Sequence, residues 1–120
     1  MTDSIHRLYA SVLEARDSGS ESSRTARLMR EGMGKMAKKV AEEAVEVSLD
    51  AVAGNREALI RESADLIYNL AVLWAGSDVT PEEVWAEMDR RERLYGIAEK
   101  LPKGGAADPV PDKALSRPRR

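Results

Sequence analysis

The stretch KVAEEAVEVSLDAV (residues 39–52), with ESADLIYNLAVLWAG (residues 62–76) after it, decides how this chain is read. Both segments have helical periodicity. On a wheel at about 100° per residue, Lys39, Glu42, Glu43, Glu46 and Asp50 fall within an arc of about 100°. The rest of that wheel is apolar or small: Val40, Ala41, Ala44, Val45, Val47, Ser48, Leu49, Ala51 and Val52. An apolar arc that wide belongs to a helix buried on most of its surface. The second segment repeats the contrast. Glu62, Asp65 and Asn69 share one side, and Leu66 to Ala75 carry no charge.

Two readings of the acids follow. In the first they form an ordinary solvated face. Such faces interleave Lys or Arg three or four residues away, because like charges at that spacing repel. Here four acids share their arc with a single lysine. In the second reading a cation lies between the helices. Unpaired carboxylates are expensive to bury, and hard divalent cations prefer their oxygens. Acids at i and i+3 project from one face. Two antiparallel helices joined by the short AGN turn (residues 53–55) can therefore direct four oxygen ligands at one point.

The remaining segments extend the helical pattern. Ile5, Leu8, Tyr9, Val12 and Leu13 mark a first amphipathic helix, capped by Asp3 or Ser4. RDSGSESS (residues 16–23) reads as a polar loop, and SRTARLMRE (residues 23–31) as a short helix ending at Gly32. Longer helices are expected over about Met33–Ala53 and Arg56–Ala75, with Gly54 at the left-handed stop and Asn55 as the next cap. TPEE (residues 80–83) is a capping box opening a last helix to about Lys100. No segment alternates with period two. The expected fold is all-α, a bundle of four or five helices with the active site between two antiparallel ones, in a single domain over residues 1–100.

Composition narrows the function. The chain has 120 residues, no Cys and one His, so thiolate and histidine-rich metal sites are excluded. The formal net charge is −2. Residues 101–120 hold four of the five prolines and five Lys/Arg against two Asp, which predicts a disordered basic tail. A terminal RPRR without aromatic neighbours is poor support for nucleic-acid binding. MTDSIHRLYA lacks the apolar segment of a signal peptide, and no run reaches the roughly 20 residues of a membrane span. The expectation is a cytoplasmic protein that binds neither nucleic acid nor membrane.

EEAVE (residues 42–46) and ESAD (residues 62–65) together match an EExxE…ExxD signature. With SRTARLMREG, GKMAKKVAEEAVEV and ESADLIYNLAVL in order, residues 5 to 95 resemble the all-α, MazG-like NTP pyrophosphohydrolases. Within them the chain looks most like the phosphoribosyl-ATP pyrophosphohydrolase family, the second step of histidine biosynthesis. It departs from that pattern at Ala41, where a Gly is common, and at Asn69, where a His is common. The resemblance implies hydrolysis between the α and β phosphates of a small-molecule nucleotide. It implies magnesium, or manganese, on Glu43, Glu46, Glu62 and Asp65. Glu42 is the candidate proton acceptor. Lys39 is a candidate phosphate contact or a partner for Glu43, Asn69 a ligand contact or a buried structural amide, and Lys35, Arg24 and Arg27 weaker contacts for the phosphoribosyl end. A homodimer or higher even oligomer is expected to complete the core. Two alternatives stand beside this: a house-cleaning NTP pyrophosphohydrolase of the same superfamily, and a non-catalytic helical interaction protein.

Overall fold

The structure, a computed structural model, describes residues 3–95. Five helices follow in order: α1 (Ser4–Ser18), α2 (Arg24–Arg30), α3 (Met33–Val52), α4 (Arg56–Gly76) and α5 (Pro81–Leu94), with no strand among the described residues. Residues up to Pro81 form one compact unit, and α5 belongs to a second. The expected extension of the last helix to Lys100 and the basic tail over residues 101–120 lie outside the described residues.

Local chemistry sets the helix ends. Asp3 caps α1, its carboxylate accepting from the His6 amide at 2.9 Å. Ser23 caps α2 through the Ala26 amide at 3.0 Å, and Asn55 caps α4 through the Ala58 amide at 3.1 Å. Each such cap satisfies one amide that the first turn leaves without an intrahelical partner. α1 runs further than the polar composition of residues 16–18 suggested. It stops only at Gly19, whose φ of 63° is left-handed. Polar side chains do not break an exposed final turn. A residue free to take positive φ does.

α3 and α4 are antiparallel. Ser77 and Gly76, at the end of α4, meet Met33 and Met36 at the start of α3, while Glu43 meets Glu62 and Asp65 further along. A Cβ at Gly76 would lie 2.8 Å from the Met36 sulfur, so glycine lets the two helices close on that thioether. Around this pair α1 and α2 complete a core of Val12, Leu28, Met36, Ala71, Val72 and Ala75. Two polar contacts tie distant segments to it. The Tyr9 hydroxyl donates to the Val79 carbonyl at 2.7 Å, and the Tyr68 and Thr25 hydroxyls share a hydrogen bond of 2.6 Å.

Much of the wide apolar arc of α3 is exposed among the described residues. Met36 is its one buried residue, and Val45, Leu49 and Val52 are 57%, 62% and 87% exposed. Their spacing of four and three residues makes a continuous stripe on one side of the helix. α4 adds exposed Ile60 and Ile67. Helical periodicity correctly marks these faces as apolar. It does not say whether the same chain or another covers them.

Candidate metal centre

α3 and α4 bring three acids together. Carboxylate oxygens of Glu43, Glu62 and Asp65 all lie within 4.8 Å of one another. Glu62 and Asp65 stand one turn apart on α4, and Glu43 faces them from α3, as the wheel requires. Burial is partial for the two glutamates, while Asp65 is exposed. The Glu62 carboxyl is held above its usual range. The main cause is the Glu43 carboxylate, which can share a proton with it. Partial desolvation and the negative charges of Glu43, Asp65 and Asp50 add to this. With both glutamates ionised neither has a proton to give, and Glu43 Oε1 is a buried acceptor with no donor.

Asn69 lies one turn beyond Asp65 and is 1% exposed. Its amide nitrogen donates to the Asp65 carbonyl at 2.9 Å, while its Oδ1 is buried with no donor. Half of this side chain thus does the structural work that a buried amide does, and half is left unmet. Buried acceptors without donors are rare in folded proteins. One belongs to the carboxylate cluster itself, and a hard cation or its water shell would satisfy it. The donor set, oxygen alone, suits magnesium and manganese.

The other predicted residues fall around the cluster rather than in it. Glu46 is exposed on α3 and is not among the three convergent acids. It sits about 60° around the helix from Glu43, turned towards the Leu49 edge of the apolar stripe. Glu42 is exposed. Its only ion pair among the described residues is a loose one with Lys39 Nζ at 3.8 Å, so Lys39 pairs with Glu42 and not with Glu43. Arg24, Arg27 and Leu28 of α2, with its cap Glu31, face Lys35, Lys39 and Glu42 of α3 across a groove of about 200 Å³. Sequence reasoning missed how Arg24 is held. Its guanidinium stacks 5.1 Å above the Tyr68 ring, and no local pattern announces a partner so distant in the chain. His6 is bound to Asp3 at the head of α1. A larger, mainly apolar cavity of about 540 Å³ lies among Met29, Met36, Ala75 and Gly76, with Arg16, Arg30 and Asp78 at its border.

Five helices and no strand among the described residues, with convergent acids on an antiparallel pair, are the architecture of the all-α, MazG-like class. Residues 6–92 match the family described as phosphoribosyl-ATP pyrophosphohydrolase. A protein of Rhodopseudomonas palustris named phosphoribosyl-ATP pyrophosphatase 2 is 64% identical over 98% of this chain and 90% of its own length. A protein of the same name from Bradyrhizobium diazoefficiens is 58% identical over the same shares. A phosphoribosyl-ATP pyrophosphatase of Azospirillum brasilense is 47% identical over 80% of this chain and 86% of its own. The chain belongs to the phosphoribosyl-ATP pyrophosphohydrolase family.

Proposed function

We propose that this protein hydrolyses phosphoribosyl-ATP to phosphoribosyl-AMP and pyrophosphate, the second step of histidine biosynthesis, with magnesium or manganese as its metal. The observation that carries the reading is the convergence of Glu43, Glu62 and Asp65 without a counter-cation among the described residues, in a chain of this family. Glu46, one turn after Glu43, is the remaining ligand candidate. These acids would hold a divalent cation, which when bound would supply charge neutralisation at phosphate oxygens and a lower pKa for water.

The protein's own residues supply the rest. Phosphoryl transfer asks mainly for positioning and charge neutralisation. Glu42 lies next to the cluster in an open position, with oxygens free enough to accept the proton of the attacking water. Lys39 is weakly engaged at 3.8 Å and can leave Glu42 for a phosphate oxygen. Asn69 holds the Asp65 turn through one hydrogen bond and offers its Oδ1 to a water or a substrate hydroxyl. Lys35 and Arg24 extend the positive surface outward from Lys39.

The exposed stripe of Val45, Leu49 and Val52, with Ile60 and Ile67, supports a homodimer or higher even oligomer that covers these faces. Light scattering at micromolar concentration is expected to give twice the chain mass or more, and a stable monomer would reject the assembly. No described helix is long and apolar enough to cross a membrane, which fits a cytoplasmic enzyme.

The substrate is tested by a coupled pyrophosphate assay, with and without magnesium, using phosphoribosyl-ATP beside ordinary and modified NTPs. Phosphoribosyl-ATP is expected to turn over fastest, and only with metal. Faster turnover of a modified NTP would replace this reading with a house-cleaning one. No turnover of any of them would leave the helical bundle as a binding protein.

A further inference from the structure

The groove between α2 and α3 is built from two facing rows. Arg24, Arg27, Leu28 and Glu31 follow i, i+3, i+4, i+7 on α2 and its cap, and Lys35, Lys39 and Glu42 follow i, i+4, i+7 on α3. Each row is one side of a helix. Its lining carries four cations against two acids. Neither Arg27 nor Lys35 has a carboxylate within ion-pairing distance among the described residues, and Lys39 has only its 3.8 Å contact with Glu42. α3 also has no acid in its first turn, so Lys35 stands where the helix dipole already makes the potential positive. Arg27 and Lys35 thus add positive charge to the groove that an anion would settle.

The groove has a fixed relation to the acid cluster. Lys35 to Glu42 spans about 10 Å along α3, and the next residue is Glu43. On the facing side the Thr25–Tyr68 hydrogen bond of 2.6 Å and the stacking of Arg24 on Tyr68 clamp the start of α2 to α4, one turn after Asp65. An extended ligand with one anionic end on the carboxylate-bound metal can therefore place a second anionic group among Arg24, Arg27 and Lys35.

We propose that this groove binds the phosphate monoester of the phosphoribosyl group and so separates phosphoribosyl-ATP from plain nucleoside triphosphates. The inference rests on the substrate reading above. Phosphoribosyl-ATP has two anionic ends, the triphosphate that is cleaved and the monophosphate on its second ribose. ATP has only the first. The triphosphate goes to the acids and their metal, and the monophosphate goes to the arginine and lysine rows. Arg27 is a specificity residue here together with Arg24 and Lys35, and Tyr68 is the positioning residue for Arg24.

The test uses the full chain with magnesium. KM and kcat for phosphoribosyl-ATP, and the competitive inhibition constant of ATP, are measured for the wild type, Arg27→Gln and Lys35→Gln. Both side chains are exposed, and equal melting temperatures would show that the fold is kept. A charge-assisted hydrogen bond lost to phosphate should raise KM by about tenfold or more. The loss is expected in KM rather than kcat, with the ATP constant moving by less than about twofold, since ATP carries no group for the groove. KM values unchanged in both variants would overturn the proposal. So would a parallel rise in the ATP constant, which would assign these cations to the triphosphate. A wild type that releases no pyrophosphate from phosphoribosyl-ATP would reject the substrate itself and the groove with it. An active wild type with unaltered variants would reject the groove alone.

Discussion

Glu62 on α4 and Glu87 on α5 are glutamates of opposite circumstance. Glu87 has Arg90 at i+3 and Arg91 at i+4, with contacts of 3.1 and 2.9 Å, and these guanidiniums hold its carboxyl below the usual range. Glu62 has Glu43, Asp65 and Asp50 instead, and its carboxyl is held above it. Glu87 is what a solvated helix surface produces when it settles its own charge. Glu62 is in a place where the fold leaves charge unsettled. The unsettled place lies between two helices and includes buried acceptors without donors. It is therefore the region where a ligand changes the energy most.

The strongest way to break this contrast is to neutralise the cluster. Glu43→Gln and Asp65→Asn keep shape and remove charge. Each is expected to lower metal-dependent turnover by about a thousandfold, several kcal/mol of lost transition-state stabilisation, while the helical circular dichroism is retained. Full activity in both would reduce the cluster to a solvated face.

A smaller effect separates the two glutamates by sign. Glu62 is raised in the folded state above its value of 4.5, so the folded protein binds the extra proton. Stability without metal must then fall as pH rises from about the unfolded value through the raised one. Magnesium should cancel the fall, and Glu62→Gln should remove it and raise the metal-free melting temperature. Glu87 is lowered, so its contribution is present above the unfolded value and is lost as pH falls through the folded one. Melting curves from pH 4 to 8, with and without magnesium, read both. A metal-free melting temperature that is unaffected by Glu62→Gln across that range would contradict the first.

The smallest effect is expected at Glu87 itself. Glu87→Gln should cost about 0.5 kcal/mol, as exposed pairs at these spacings do, and less at high salt. Turnover should not change. A loss of activity would mean that α5 takes part in the site.

Most of the scaffold could be read from residues whose effect is local. Ser23 and Asn55 cap because a short oxygen side chain reaches an amide two or three residues on. The run from Leu66 to Ala75 is helical because nothing in it breaks a helix. The pair Glu62/Asp65 and its partner Glu43 were also legible, since spacing fixes which side of a helix a side chain leaves from. What the wheel leaves open has one cause. A wheel gives direction around one helix and says nothing of where the neighbour stands. Glu46 shares an arc with Glu43, yet the neighbouring helix meets Glu43 and leaves Glu46 at the edge. The same limit leaves open what covers Val45, Leu49 and Val52, and it hid the Thr25–Tyr68 contact between residues 43 apart in sequence.

A centre made only of carboxylates has a consequence for life under oxidants. Thiolate ligands release their metal when oxidised, and a catalytic thiol is lost to the same chemistry. Glu43, Glu62 and Asp65 offer nothing to oxidise, and the chain has no cysteine. The sulfur most open to peroxide at this pair of helices is that of Met33, 44% exposed and in contact with the Ser77 hydroxyl at 3.7 Å. It lies about 15 Å along α3 from Glu43. Oxidative damage to this helix pair would therefore register first at its methionine head, as a loosening of packing, with the charge of the acids intact.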